Sequence, residues 1–286
     1  MDDRRPEAAG QTDDHPTAGA VLDFEGRLSY GDYLHLDDLL SAQRPRTDAH
    51  DELLFIIQHQ QTELWFKLIL HELREVIRLI VEGELRASFK GLARIERVML
   101  VLNDAWDVLT TLTPADYSSF RDALLESSGF QSHQYREFEY LLGNKDPMYL
   151  RPFAHRPEIH ARLADALASP SLYDETVRLL GRRGFEIDPA VLERDWSVAH
   201  RSNESVLAAW RDVYRDSTHH WDLYELGEEL VDLEEATRRW RFRHVTTVER
   251  IIGGKPGTGG TPGVPYLRER LSVVLFPELW QVRTQL

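Results

Sequence analysis

The chain has 286 residues, 42% of them hydrophobic, and its 34 basic and 48 acidic side chains give a formal net charge of −14. This length can bury a sizeable core without cross-links, while the acidic balance argues against a nucleic-acid-binding surface. The sequence contains no cysteine, which excludes disulfides, thiolate zinc sites, iron–sulfur clusters and cysteine nucleophiles.

The first segment of the chain, residues 1–20, is rich in Asp, Pro, Ala and Gly and lacks the apolar stretch of a secretory signal. This composition predicts a disordered tail. No apolar run approaches the roughly 20 residues needed to cross a bilayer. We therefore expect residues 21–286 to form a single domain that contacts no membrane, and the lack of cysteine fits a cytoplasmic location.

Apolar residues at helical spacing dominate the rest of the chain. Residues 28–40 are predicted to be an irregular arm that runs into a short helix. Long helices are predicted over about 51–84, 88–112 and 220–252, the first of them central, with Asp51 as a candidate N-cap and Gly83 as a candidate stop.

Shorter elements fill the gaps between the long helices. A helix is predicted to begin at Thr113-Pro114, and loops are predicted at 127–134 and in the glycine-rich stretch 253–263. Other short helices are predicted over about 135–142, in two pieces within 158–181, over 188–216 and over 266–275. The sequence shows neither alternating strand patterns nor an internal repeat, so it predicts an all-α fold, a single-domain helical bundle with an N-terminal arm.

Two histidines stand on apolar helix faces. His59 follows Phe55 by four residues, and His244 shares a face with Trp240 and Val248. The ordinary interpretation of each is a core histidine bonded to a neighbour. A neutral imidazole walled by apolar side chains is also what an axial haem ligand requires.

A di-iron site is not supported by the pattern. Such a site needs two Glu-x-x-His motifs, and no glutamate in the chain has a histidine three positions later. The His-Glu-x-x-His motif of zinc proteases is missing as well.

Arg121 and the glycine-rich loop each admit two interpretations. Arg121 follows Tyr117-Ser-Ser-Phe and could grip a carboxylate through two parallel hydrogen bonds, or form a surface ion pair. The loop follows a helix and lacks the Gly-Lys-Ser/Thr ending of a phosphate-binding loop. It could fold over a ligand or serve as a flexible connection.

Four long stretches, in order along the chain, together resemble the tryptophan 2,3-dioxygenase family. They are ELLFIIQHQQTELWFKLILHEL (52–73), SSGFQSHQYREFEYLLGNK (127–145), WRFRHVTTVERIIG (240–253) and GTGGTPGVPYLRERLSVVLFPELWQVRTQL (257–286). The resemblance implies an all-helical homotetramer with one b-type haem per subunit. It also implies insertion of O2 across the C2=C3 bond of L-tryptophan, giving N-formylkynurenine, the first intermediate of the kynurenine pathway.

The resemblance also implies roles for individual residues. His244 matches the axial haem ligand, and His59 matches the distal histidine that hydrogen-bonds the indole N–H. The remaining matching positions are substrate-binding ones: Phe55, Tyr117, Arg121, Ser128 and Thr258, together with Tyr30, Tyr33 and Leu34 of an arm from a neighbouring subunit.

Three positions depart from the family pattern: Gln61, Thr62 and His133. They leave room for a second hypothesis, a haem oxygenase or monooxygenase that acts on a modified tryptophan in a biosynthetic pathway. A third hypothesis is a helical haem-binding or sensing protein without enzymatic activity. The implied Arg121, Thr258 and His59 argue against it, because a carrier needs no carboxylate clamp.

Overall fold

The computed structural model describes residues 20–286, which contain helices and no strand. The predicted all-α fold is confirmed. The predicted tail lies, apart from residue 20, outside the described residues. The chain divides into two compact units, an arm that ends at Arg44 and a body, Pro45–Leu286. The single domain over 21–286 stays a prediction.

The arm contains two short helices, α1 (Tyr30–Leu34) and α2 (Leu36–Leu40), where one was predicted. Ser29 caps α1 in a reciprocal pair of bonds with Asp32. His35, at φ 51°, separates the two helices. Neither helix buries a residue, so the arm has no apolar core of its own.

The body is built from eleven α-helices within the described residues. They are α3 (Glu52–Glu82), α4 (Leu85–Leu109), α5 (Pro114–Phe120), α6 (His133–Leu141), α7 (Pro157–Ala168), α8 (Leu172–Arg182), α9 (Pro189–Leu192), α10 (Glu204–Arg215), α11 (Trp221–Ile252), α12 (Val264–Arg270) and α13 (Pro277–Val282).

The three long helices confirm the predicted long elements, and α4 packs along both α3 and α11. Leu73, Leu92 and Met99 are fully buried where these helices meet. Each such side chain contributes about 1.5–3 kcal/mol through burial of apolar surface. The N-terminal half of α3 is less central than its pattern suggests, because Ile57 and Leu64 remain about half exposed.

The ends of α3 have separate causes. Gly83 ends the helix at φ 82°, a left-handed conformation that costs glycine little. Asp51 occupies the N-cap position, but its side chain makes no capping bond. The Glu52 carboxylate instead accepts hydrogen bonds from the backbone N–H groups of Arg46 and Thr47, at 2.8 Å each, and so fixes the chain entering the helix.

The helix predicted over 188–216 is wrong as one element, because residues 193–203 are irregular between α9 and α10. The Asp195 carboxylate accepts from the Ser197 N–H, and Arg194 donates to the carbonyls of Asp195 and Val198. Such side-chain bonds compete with helical backbone bonds. Asn203 then caps α10.

Two further predicted boundaries differ in the structure. The loop predicted at 127–134 contains a turn of 3₁₀ helix, Gly129–Gln131, and gives way to α6 already at His133. The last of the predicted helices begins and ends earlier, since α12 stops at Arg270. Within residues 20–286, no helix is long and apolar enough to cross a membrane.

Candidate functional site

A cavity of about 240 Å³ opens within the body, with walls from α3, α4, α5, α6, α11 and α12 and from the segments 127–132 and 257–263. It brings together most of the site residues that the sequence predicted. Those that line it are Phe55, His59, Tyr117, Ser128, His244 and Thr258.

The His59 imidazole faces this cavity and is fixed by its own helix. Its Nδ1 lies 2.7 Å from the carbonyl oxygen of Phe55, and the two rings are 4.2 Å apart. Since a carbonyl oxygen only accepts, Nδ1 carries the proton and Nε2 keeps a free lone pair. The protein around the cavity desolvates the ring and lowers the pKa of His59, so the imidazole is neutral at pH 7.

His244 lies between two tryptophan rings on another wall. Its ring is stacked on Trp106, with centroids 5.0 Å apart and planes at 16°, and it lies 5.5 Å from Trp240. Burial, with a smaller repulsion from His59, lowers the pKa of His244 to about 4. The imidazole is therefore neutral at pH 7, as a metal ligand must be.

The described part of the chain offers no ready site for a bare metal ion. Among residues 20–286, no group of three or more His, Asp or Glu side chains could hold one.

Two hydrogen bonds tie the glycine-rich loop to the opposite wall. The Thr258 hydroxyl donates to the carbonyl of Ser127 at 2.5 Å, and Arg121 donates from Nη2 to the carbonyl of Pro256 at 2.7 Å. A Cβ on Gly259 would lie 2.8 Å from the Cβ of Ser128. The loop therefore approaches this wall as closely as glycine permits. Arg121, unlike the other predicted residues of this group, is not among the residues that line the cavity.

Tyr117 connects these polar groups to the aromatic side of the cavity. Its ring lies 5.8 Å from that of Phe55. Burial raises the pKa of the Tyr117 phenol, and the neighbouring Arg121 guanidinium opposes this rise. The phenol is protonated at pH 7 and can donate a hydrogen bond.

Several residues that line the cavity were missed by the sequence analysis. They are Trp106, Arg136, Arg241 and Arg270, none of which was singled out. Helical spacing places Arg241 almost one turn before His244, which is a usable signal. No pattern in the sequence predicts that Arg136 on α6 and Arg270 on α12 line the same cavity.

The three departures from the family pattern differ in their relation to the cavity. Thr62 lines it, and its hydroxyl donates back to the carbonyl of Gln58 at 2.9 Å. Gln61 and His133 are not part of the lining. The ring of His133 instead meets Phe153 edge-on, at 6.4 Å.

The remaining predicted site residues, Tyr30, Tyr33 and Leu34, lie on α1 of the arm. Tyr30 and Tyr33 are 75% and 72% exposed, and Leu34 is 40% exposed. These three side chains thus expose much of their apolar surface to solvent.

Comparison with known proteins identifies the family. The family model described as tryptophan 2,3-dioxygenase matches residues 15–286. The chain belongs to the tryptophan 2,3-dioxygenase family. The match covers all four stretches on which the resemblance was based, as well as the segment between residues 146 and 239 that carries no quoted motif.

Curated members of the family confirm this similarity along nearly the whole chain. Proteins named tryptophan 2,3-dioxygenase from Burkholderia pseudomallei strains 1106a and K96243 are each 59% identical over 281 residues. A protein of the same name from Burkholderia mallei strain SAVP1 is 58% identical over the same length. Each alignment spans 98% of this chain and 92% of the relative.

Proposed function

We propose that this enzyme inserts both atoms of O2 across the indole C2=C3 bond of L-tryptophan and releases N-formylkynurenine. The observation that carries the proposal is one cavity that holds His59, His244, Thr258 and Phe55, in a chain 59% identical to proteins named for this reaction. The reaction balances without a reductant, since the product contains the substrate and both oxygen atoms. Its place is the first step of tryptophan catabolism.

A b-type haem, one per subunit, suits the residues present. His244 is a neutral imidazole at the cavity wall, and none of the hydrogen bonds among residues 20–286 uses it. The wall also carries buried polar groups that have no partner in the part of the chain that the structure describes, among them Nε1 of Trp106 and the hydroxyl of Thr247. When bound, the haem supplies the redox-active iron that activates O2.

The substrate is held as a zwitterion by the polar end of the cavity. Arg121 presents a guanidinium that matches a carboxylate, and the Thr258 hydroxyl lies on the loop opposite. Phe55 offers a ring face to the indole. We therefore propose that these residues act mainly by positioning the substrate, because a substrate already held in the reactive orientation loses little further entropy on the way to the transition state.

His59 orients the indole through its free Nε2 lone pair. With Nδ1–H bonded to the Phe55 carbonyl, Nε2 can accept the indole N–H. The lowered pKa of the imidazole makes it a weak base, and an indole N–H is a very weak acid. We therefore propose that His59 accepts a hydrogen bond from the indole N–H and does not remove its proton.

The decisive experiment is incubation of the ferrous holoprotein with L-tryptophan under air, followed by absorbance and product mass. We expect N-formylkynurenine, 32 mass units heavier than tryptophan because two oxygen atoms of about 16 units each are added. Consumption of a substituted tryptophan with none of L-tryptophan would favour the biosynthetic alternative. A haem spectrum without turnover of any indole amino acid would favour a haem carrier.

Two variants separate the cofactor side of the site from the substrate side. His244→Ala should lose haem, whereas Arg121→Ala should keep haem and raise KM, since truncating a buried charge-assisted pair costs roughly 2–5 kcal/mol. Arg151→Ala, at an exposed arginine, is the control. Full haem occupancy with an unchanged spectrum in His244→Ala, or an unchanged KM in Arg121→Ala, would contradict these assignments.

We further propose a homotetramer in which the arm of one subunit completes the pocket of a neighbour. The proposal is supported by the resemblance to the family and by the exposure of Tyr30 and Tyr33 on α1, a helix that buries none of its residues. Removing residues 20–44 should raise KM and change the mass found by light scattering. A deleted protein with the same mass and kinetics would refute this assembly.

A further inference from the structure

Three arginines from three different elements line one side of the cavity, and we call them the arginine wall: Arg136 on α6, Arg241 on α11 and Arg270 on α12. Arg136 and Arg241 are each only 3% exposed. Buried guanidinium groups need counter-charges, because removing a charge from water is costly.

Residues 20–286 supply one carboxylate to these three cations. Glu139 pairs with both Arg136 and Arg241. Arg270 has no carboxylate within ion-pair distance among residues 20–286. Glu63, the acidic residue that lines the same cavity, lies on α3 and is held by the side-chain amide of Gln134 at 2.8 Å. The arginine wall therefore carries an excess of two positive charges.

The wall also holds donors without acceptors. The Nε atoms of Arg136 and Arg270 are buried and have no hydrogen-bond partner in the described part of the chain. Native proteins satisfy nearly all buried polar groups, so orphaned donors beside a cavity indicate a missing acceptor.

Two tyrosines hold the guanidinium groups of this wall in place. The hydroxyls of Tyr149 and Tyr266 lie 3.1 Å apart, and Arg136 reaches the Tyr266 hydroxyl at 3.4 Å. The Arg136 guanidinium carbon lies 4.0 Å from the centroid of the Tyr149 ring, and that of Arg270 lies 5.6 Å from the Tyr266 centroid. The wall is thus organised before any ligand arrives.

We propose that the arginine wall binds the two propionate carboxylates of the haem. The inference rests on the proposed haem-dependent function. Two carboxylates neutralise the excess of two charges, and the planar guanidinium fork matches a carboxylate in shape and donor spacing. Arg270 is the decisive member, since it has no carboxylate partner of its own.

The test compares haem with its dimethyl ester, which keeps the macrocycle and iron but carries no propionate charge. Each is titrated into apoprotein, and the dissociation constants are taken from the absorbance change. We use wild type, Arg270→Gln and the control Arg268→Gln. Arg268 lies on the same helix, is exposed and pairs with Glu249, so its replacement removes an equal charge outside the cavity.

Wild type should bind haem more tightly than the ester by at least about 30-fold, as expected when charge-assisted pairs are truncated. Arg270→Gln should reduce this ratio by about tenfold or more, while Arg268→Gln keeps it and Arg270→Lys restores part of it. Equal affinity of wild type for both ligands would overturn the inference while leaving haem binding intact.

Other outcomes assign the failure elsewhere. An unchanged ratio in Arg270→Gln, with weaker L-tryptophan binding to its holoprotein, would show that the wall serves the substrate carboxylate and would overturn the inference. A wild-type protein that binds neither ligand would refute the haem-dependent function itself. Circular dichroism tests whether Arg270→Gln folds. If that variant does not fold, the same ratio of haem to ester affinity is measured for Arg270→Lys instead.

Discussion

Lowering the pH from 7.5 to 5 should destabilise this protein through His200. The ring of His200 is stacked on Tyr173, with centroids 3.5 Å apart, and its Nε2 lies 2.8 Å from the carbonyl oxygen of Leu275. Nε2 therefore carries the proton. The other nitrogen, Nδ1, is buried without a hydrogen-bond partner among the described residues, and burial of the ring opposes a second proton more than the nearby Gly143 backbone favours it.

The magnitude follows from the two pKa values of this histidine. Burial is the main cause that lowers the pKa of His200 from 6.5 to about 4, with Asp174 opposing and Arg194 assisting. The folded state thus binds its proton at lower pH than the unfolded state. The contribution of His200 to the free energy of unfolding is therefore fully present above pH 6.5, and it is lost as the pH falls towards 4. By linkage, the loss between pH 7.5 and pH 5 is about 2 kcal/mol.

Urea unfolding of wild type and His200→Gln, measured between pH 7.5 and pH 5, isolates this contribution. The glutamine amide can still donate to the Leu275 carbonyl, and it does not titrate. The difference between the two unfolding free energies should shift by about 2 kcal/mol in favour of the variant as pH falls. His155→Gln, at an exposed position, controls for loss of a histidine. Parallel curves for wild type and His200→Gln would refute the reasoning.

Three further changes test other parts of the structure. Gly259→Ala places a methyl group 2.8 Å from the Cβ of Ser128, so it should raise KM severalfold in steady-state kinetics while the urea midpoint stays unchanged. Lys145→Met removes the buried ammonium that donates to three carbonyl oxygens at the end of α7; urea unfolding should show a loss of about 1–3 kcal/mol. Glu139→Gln takes the shared carboxylate from two buried arginines, and unfolding should show a loss of about 3–5 kcal/mol. Unchanged KM in the first variant, or unchanged unfolding in the others, would contradict the corresponding contact.

Local signals in the sequence predicted much of the fold. The long helices follow from apolar spacing, and the stop at Gly83 follows from the freedom of glycine at positive φ. The interruption at 193–203 was missed because it depends on Arg194 and Asp195 bonding to nearby backbone groups. Such bonds compete with a helix without disturbing its apolar pattern.

The candidate site divides in the same way. Spacing placed Phe55 and His59 on one face, and the structure adds the bond that fixes the His59 tautomer. Arg136 and Arg270 could not be paired from sequence, because 134 positions separate them and only the tertiary fold brings both to one cavity. Long-range contacts of this kind leave no periodic trace.

The two hydrogen bonds across the glycine-rich loop have a consequence for substrate selection. Arg121 and Thr258 now donate to the carbonyl oxygens of Pro256 and Ser127. When these donors turn to a carboxylate, both carbonyls lose their partners, and a ligand ammonium can supply the missing N–H groups. We expect a zwitterion to exchange partners at both ends, whereas an indole acid or an indole amine replaces only part of the bonds that are lost. We therefore expect this loop to favour amino acids over other indoles through its contacts with the ammonium and carboxylate groups alone.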